Sequence, residues 1–217
     1  MTIEDCNLFE IIDTTRSMRR LKPDPVPDAL IERIIAAGTK APSGQNTQPW
    51  AFLVVRDPTA RRWLQERYLA VMQRAMGDRT PPPEDRSPGA RTMRAALHLA
   101  HHLHEVPVLL LVCGERDWPF AVAAEDRRGL APPSYGSTFP AVQNILLACR
   151  ALGLGATLTT LHQMFEIELR ERFGIPDTHG VVALIPIGYP LGRFGPVRRR
   201  PPREVTHLDH WGHPWPG

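Results

Sequence analysis

Helically spaced apolar residues and short apolar runs alternate along the chain, which predicts a fold of both helices and strands. Six stretches are predicted to be helical: 3–14, 27–39, 58–76, 90–104, 137–152 and 162–173. The first has Thr2 as its expected N-cap. Compact apolar runs predict strands at Trp50–Val55, Val106–Cys113 and Val181–Ile187, with a shorter one at Ala156–Thr159. Helices separated by few strands favour an α+β or α/β class, and the pattern leaves the strand order open.

Segments rich in proline and glycine separate these elements. Loops are predicted at 39–49, 77–89 and 115–136. The tail from 190 to 217 has a similar composition, but it also contains Trp211 and Trp215. Because these side chains are too apolar for a free tail, we expect the tail to pack against another surface, such as a partner subunit.

Composition narrows the class of protein. The 217 residues, 42% of them hydrophobic, fit a single globular domain over residues 1–217. The chain has no apolar run long enough for a transmembrane helix, and the acidic start MTIEDCNLFEII is unlike a secretory signal. Three cysteines without a CxxC pair favour reduced thiols, so we expect a cytoplasmic protein with no membrane partner. A net charge of +3 is too small to indicate nucleic-acid binding.

A basic segment after the first helix is suited to an anion. Here Ser17 can donate a hydrogen bond, while Arg16 and Arg19 supply the charge that a phosphate requires. The alternative is a solvated basic turn between two helices. The cationic run Arg198–Arg200 is by itself typical of a solvated face or a nucleic-acid contact.

Two further loops can approach a ligand closely. The stretch 41–50 combines small residues, which let backbone amides approach a planar group, with Gln and Asn side chains that can bind carbonyl and imino edges. An ordinary polar connection is the alternative. The stretch GLGATLTT at 153–160 lacks the GxGxxG spacing and follows a helix, so it does not support a dinucleotide-binding Rossmann site.

Together, these four motifs resemble the FMN-dependent nitroreductase family. RSMRRL and APSGQNTQPW are similar to its N-terminal signature, PAVQNILLACRALGLGATLTT to its central helix and following strand, and RRRPP to its C-terminal phosphate clamp. The resemblance covers nearly the whole chain apart from 77–93 and 115–135. It implies an α+β fold with a central mixed sheet flanked by helices. It also implies a homodimer with flavin at the subunit interface and a C-terminal tail that embraces the partner.

The resemblance assigns residues to each end of FMN. Those expected at the phosphate and ribityl chain are Arg16, Ser17 and Arg19, completed at the phosphate by Arg198 and Arg200. Those expected to line the isoalloxazine from the other subunit are Pro42, Ser43, Gly44 and Asn46. Those expected beside the reactive edge, near N5, are Thr159, Thr160 and Leu161, with Ser137 also approaching the ring.

Two positions depart from the family pattern. The family commonly has Arg where this chain has Thr15, which removes a phosphate cation that Arg20 could replace. Some members carry an acidic residue at the position of Thr160.

The implied activity uses FMN as the redox centre. NADH or NADPH would reduce it, and a small electron-poor acceptor, nitroaromatic or quinone-like, would then take the electrons in a ping-pong sequence. Dehalogenation, heterocycle oxidation and flavin cleavage are alternatives on the same scaffold, and a flavin-binding protein without turnover is the alternative from another class. No metal site is expected, since His98 and His102 lack an HExxH glutamate. Segment 77–93, with part of 115–135, is predicted to form the rim of the acceptor site.

Overall fold

The structure, a computed structural model, describes residues 7–77, 80–115 and 133–216. The helices in these ranges are α1 (Leu8–Thr14), α2 (Asp28–Gly38), α3 (Pro58–Met76), α4 (Pro88–His102), α5 (Pro133–Ala151) and α6 (Glu166–Phe173). The strands are β1 (Trp50–Val55), β2 (Val108–Glu115), β3 (Gly155–Ala156) and β4 (His179–Gly188). Short 3₁₀ turns lie at Gly44–Asn46, Leu103–Glu105, Leu161–Phe165 and Pro202–Glu204.

The four strands form one sheet in the order β1-β2-β4-β3. All three pairings are antiparallel, so the α+β class is confirmed, whereas the mixed sheet expected from the resemblance is wrong for the described residues. The reason lies in the topology. Strands β2 and β3 run parallel and are connected through α5, but β4 inserts between them and pairs antiparallel with both.

Strand β2 is buried on both faces, which explains its continuous apolar sequence. Alternate side chains enter two separate cores. Leu109 and Leu111 pack in a core with residues of α3, α4 and α6, whereas Leu110 and Val112 pack in a core with residues of α2 and α5. The sheet is therefore the middle layer of three. None of the helices in the described ranges combines the length and hydropathy needed to span a bilayer.

Local capping sets several helix boundaries. Asp57 caps α3 by accepting a hydrogen bond from the Ala60 amide at 2.7 Å, and Ser87 caps α4 in the same way. Asn7 has extended backbone and caps the Phe9 amide at 2.9 Å, so α1 begins at Leu8 and not at the predicted residue 3. The expected cap, Thr2, lies outside the described residues.

A close crossing joins the start of the chain to the sheet. The Met18 amide donates to the Ala156 carbonyl at 2.9 Å, which brings the segment after α1 directly onto β3. A Cβ atom at Gly155 would lie 2.7 Å from Leu21 Cδ2, 3.0 Å from Met18 Cβ and 3.2 Å from Pro190 Cβ. Only glycine therefore fits at this crossing without displacing its neighbours.

We predict that Gly155→Ala destabilises the fold by about 1–3 kcal/mol, because the added methyl group overpacks the crossing. Chemical denaturation monitored by circular dichroism measures the change. Gly89→Ala is the matched control, since no heavy atom lies within 4 Å of its Cβ position. This control should keep or slightly raise the stability. Equal stabilities for the two variants would show that the crossing is not tightly packed.

Candidate functional site

The basic segment after α1 is extended, so its side chains divide between core and surface. Backbone hydrogen bonds hold it on both sides: Met18 to Ala156, and Lys22 to Tyr189 at 2.8 Å. Met18 is buried, while Ser17 is exposed and Arg19 is half-buried. The polar residues of the segment are thereby fixed beside β3.

Two cavities flank this segment. We call the first, of about 390 Å³, the arginine cavity. Its polar and charged lining residues are Asp13, Thr15, Arg16, Ser17, Gln143, Arg150, Thr157 and Arg199. We call the second, of about 290 Å³, the threonine cavity. Its lining residues are Arg19, Tyr68, Met72, Ala96, Leu99, Thr157, Leu158, Thr159, Thr160 and Leu161.

Thr157 and Leu158 line both cavities and therefore form their common wall. Thr157 is 2% exposed, and its hydroxyl has no hydrogen-bond partner among the described residues. Leaving a buried hydroxyl unpaired costs about 1–3 kcal/mol, so such a group at the junction of two cavities indicates a polar ligand. Thr157 was not predicted from the sequence, because a run of threonines does not reveal which hydroxyl is buried.

The threonine cavity is organised by a phenol from α3. Tyr68 Oη lies 2.8 Å from Thr159 Oγ1, and the Leu161 amide is 3.4 Å from the same Thr159 oxygen. Burial raises the pKa of the Tyr68 phenol, although the hydrogen bond to Thr159 and the charge of Arg19 act against it. Tyr68 therefore stays protonated at neutral pH and fixes Thr159. From the sequence, position 68 was predicted only to lie within the helix 58–76.

The C-terminal arginine run reaches the arginine cavity through a different residue from those predicted. All three arginines are exposed, and among them Arg199 lines the cavity whereas Arg198 and Arg200 are absent from its lining. The Val197 amide donates to the Asp13 carbonyl at 2.9 Å, which fixes the position of this stretch beside α1. Arg198 and Arg200 as phosphate ligands remain a prediction.

Thr15 stands where the family commonly has arginine, and its hydroxyl is already engaged within α1. Its hydroxyl donates to the Ile11 carbonyl at 2.6 Å, so Thr15 lines the arginine cavity without contributing a charge. Arg20, the expected substitute, is exposed and does not line the cavity.

The second predicted loop lies apart from both cavities of its own chain. Gly44 N is 3.4 Å from Ser137 Oγ, which brings the loop to the first turns of α5. No residue of the loop is in the lining of either cavity. Gln45, Asn46 and Gln48 have φ values of 51°, 56° and 51°, a region that non-glycine residues seldom adopt. Strain of this kind often marks functional segments. Pro42, Gly44 and Asn46 are exposed.

Other candidate groups have ordinary structural roles. The His98 and His102 rings stack with centroids 4.3 Å apart. In the part of the chain that the structure describes, no three His, Cys, Asp or Glu side chains form a group that could hold a metal ion. Burial raises the thiol pKa of Cys113 to about 11 and that of Cys149 to about 12, so both stay protonated at neutral pH.

The predicted rim of the acceptor site is only partly described. Its first segment, 77–93, ends in a helix, because α4 already begins at Pro88. Ala96 and Leu99 of α4 line the threonine cavity, whereas no described residue of 77–93 lines either cavity, and the rim role of this segment stays a prediction. Residues 116–132 lie outside the described ranges.

Comparisons with known proteins agree on one family. The nitroreductase family matches residues 12–189. A protein of Thermus thermophilus named NADH dehydrogenase is 32% identical over 201 residues, which cover 88% of this chain and 90% of that protein. Rat iodotyrosine deiodinase 1 is 28% identical over 195 residues, which cover 88% of this chain and 64% of the deiodinase.

Solved structures show the same fold. Iodotyrosine deiodinase bound to FMN and 3-iodo-L-tyrosine has a TM-score of 0.70 at 23% identity, covering 90% of this chain and 96% of the other. A nitroreductase with bound FMN from Desulfitobacterium hafniense has a TM-score of 0.67 at 20% identity, covering 94% of this chain and 100% of the other.

We predict that Thr157→Val raises the stability of the ligand-free protein by about 1 kcal/mol, because it removes the unpaired hydroxyl and keeps the shape of the side chain. Thr157→Ser, which keeps the hydroxyl and loses the methyl group, should lower stability by a similar amount. Denaturant titrations without added ligand measure both changes. A loss of stability in Thr157→Val would mean that the hydroxyl is already satisfied within the protein.

Proposed function

The chain belongs to the nitroreductase family, and we propose that it is an FMN-dependent oxidoreductase that takes electrons from NADH or NADPH. An electron-poor organic acceptor, nitroaromatic or quinone-like, then receives them in a ping-pong sequence. One observation carries the proposal: a cationic cavity and a largely uncharged cavity share the wall that contains the unpaired Thr157 hydroxyl. FMN has the same division, with a charged phosphate at one end and a planar ring at the other.

The arginine cavity suits the phosphate. Arg16 and Arg199 supply guanidinium groups, which form charge-assisted and often bidentate hydrogen bonds to phosphate oxygens. Ser17 adds a neutral donor beside them. The Thr157 hydroxyl, lying between the two cavities, can hydrogen-bond the ribityl chain that connects phosphate and ring.

The threonine cavity suits the isoalloxazine. Thr159, Thr160 and Leu161 form one edge, and Tyr68 holds Thr159 in place through its 2.8 Å hydrogen bond. Arg19 provides the cation at the same cavity, where it can bind a carbonyl oxygen of the pyrimidine ring. When bound, FMN supplies the centre that accepts hydride from a nicotinamide and passes electrons to an acceptor. The chain's own residues bind and orient the ring and restrict water.

A homodimer completes the site in this proposal. The 42–46 loop is exposed on its own chain apart from half-buried Ser43, and it does not line either cavity there. Two tail residues, Trp211 and Trp215, are 91% and 48% exposed in the single chain. Exposed tryptophans are typical of surfaces that another protein covers. A partner subunit covering them would place its own strained loop over this chain's flavin.

The similarity to iodotyrosine deiodinases favours a second candidate reaction at the same site. Reductive removal of a halogen would also take electrons from a reduced flavin, and the deiodinase relatives are 28% identical to this chain. Turnover measured with a nitroaromatic, a quinone and 3-iodotyrosine separates the two reactions.

We predict that the purified protein is yellow and releases FMN on denaturation, because the arginine cavity fits one phosphate. Anaerobic addition of NADH or NADPH should bleach the flavin absorbance, and a subsequent electron-poor acceptor should restore it. Absorbance spectra and chromatography of the released cofactor measure these outcomes. Release of FAD, or no flavin even after reconstitution, would contradict the cofactor assignment. Flavin that stays oxidised would indicate a binding protein without turnover.

We predict that two defective chains restore one site when they pair. One chain carries Arg16→Ala with Arg199→Ala, and the other has residues 43–46 replaced by four glycines, which tolerate positive φ. Each homodimer should bind little FMN, whereas a mixed dimer contains one undamaged site. Random pairing should restore flavin to about a quarter of all sites. A flavin content equal to the average of the separate variants would show that each site is built from one chain.

A further inference from the structure

We infer that Arg150, at the end of α5, binds the phosphate of the flavin and sets the preference for a phosphorylated flavin. The inference rests on the proposed function. Arg150 lines the arginine cavity together with Arg16 and Arg199, but it comes from a different part of the chain and does not line the threonine cavity. Its charge therefore acts on the ligand group that occupies the arginine cavity.

The guanidinium of Arg150 is held in place by three neighbours. Nε donates to Thr14 Oγ1 at 2.8 Å, and that hydroxyl in turn donates to the Glu10 carbonyl at 2.6 Å. The guanidinium carbon lies 4.4 Å from the centroid of the Phe194 ring. Nη2 is 3.6 Å from Glu10 Oε1. Because these contacts order the side chain in advance, a bound phosphate does not have to immobilise it.

These contacts leave most of the positive charge of Arg150 available to a ligand in the arginine cavity. The separation of 3.6 Å from Glu10 is too long for a strong hydrogen bond, and the Glu10 side chain is 44% exposed. Arg150 itself is only 15% exposed, so its charge is poorly solvated. No described residue accepts a hydrogen bond from Nη1. Arg150 therefore carries a partly desolvated charge with a free donor at the wall of a cavity.

The charge of the cavity supports a doubly charged occupant. Arg16, Arg150 and Arg199 line it with Asp13 as the acidic lining residue, a net charge of about +2 among the lining residues that Glu10 beside Arg150 partly offsets. A phosphate monoester carries about −1.5 to −2 at neutral pH. Thr15 supplies no charge, and its hydroxyl is already bonded to the Ile11 carbonyl. Without Arg150 the cavity would hold about one positive charge, too few to neutralise the phosphate.

Arg150→Gln tests the inference through the difference between FMN and riboflavin, which lacks the phosphate. Flavin-fluorescence titration of the deflavinated protein gives both dissociation constants. We expect FMN affinity to fall about tenfold to hundredfold, because a charge-assisted hydrogen bond is lost. Riboflavin affinity should stay within about twofold, since Arg150 does not line the threonine cavity. An equal loss for both flavins, or no loss for either, would overturn the inference.

Glu10→Gln is the matched variant, and it remains informative even if Arg150→Gln does not fold. It removes the carboxylate that competes for Arg150 while retaining the guanidinium. FMN affinity should therefore rise or stay unchanged, with riboflavin unaffected. If Arg150 acted only by anchoring α1, Glu10→Gln would weaken FMN and riboflavin together, and that result would contradict the inference. Wild-type protein that binds neither flavin would refute the proposed function itself.

Discussion

The segment from Thr15 to Lys22 crosses β3 so closely that Gly155 has no room for a side chain. The backbone bond from Met18 to Ala156 fixes this crossing, and it places Ser17 at one cavity and Arg19 at the other. The two cavities are therefore positioned by main-chain contacts with a sheet whose central strands, β2 and β4, are buried on both faces. Charged side chains that bind a ligand can be substituted on such a scaffold without moving the backbone. A shift of the crossing itself would move the two cavities apart.

The sequence predicted the secondary structure best where local signals and burial agree. Helix α3 has the predicted bounds because Asp57 caps it and Gly77 ends it, and β1 has the predicted bounds because an apolar run follows a loop. Strand direction was not predictable from these signals, since it depends on the insertion of β4 between β2 and β3. The start of α1 was misplaced because Asn7 offers a cap within an apolar pattern that begins earlier.

The residues of the candidate site were likewise predictable from the sequence only in part. The resemblance assigned Arg16, Ser17 and Arg19 to the phosphate and ribityl chain of FMN. In the structure Arg16 and Ser17 line the arginine cavity, whereas Arg19 lines the threonine cavity. The resemblance did not identify Arg199, since long-range contacts of the stretch after β4 decide which of three consecutive arginines lines the cavity. It also missed the Thr157 and Tyr68 hydroxyls, because their burial is a property of packing. The ligand contacts of all these residues stay predictions, and the role of the loop 42–46 depends in addition on a second copy of the chain.

We propose that one FMN spans both cavities, and a crystal structure of the protein grown with FMN can show whether it does. We expect phosphate density among Arg16, Arg150 and Arg199, a ribityl hydroxyl within hydrogen-bond distance of Thr157 Oγ1, and the ring along 159–161. A partner subunit should cover the ring with its 42–46 loop. Density for FMN outside these cavities, or with the phosphate beside Thr159, would contradict the account.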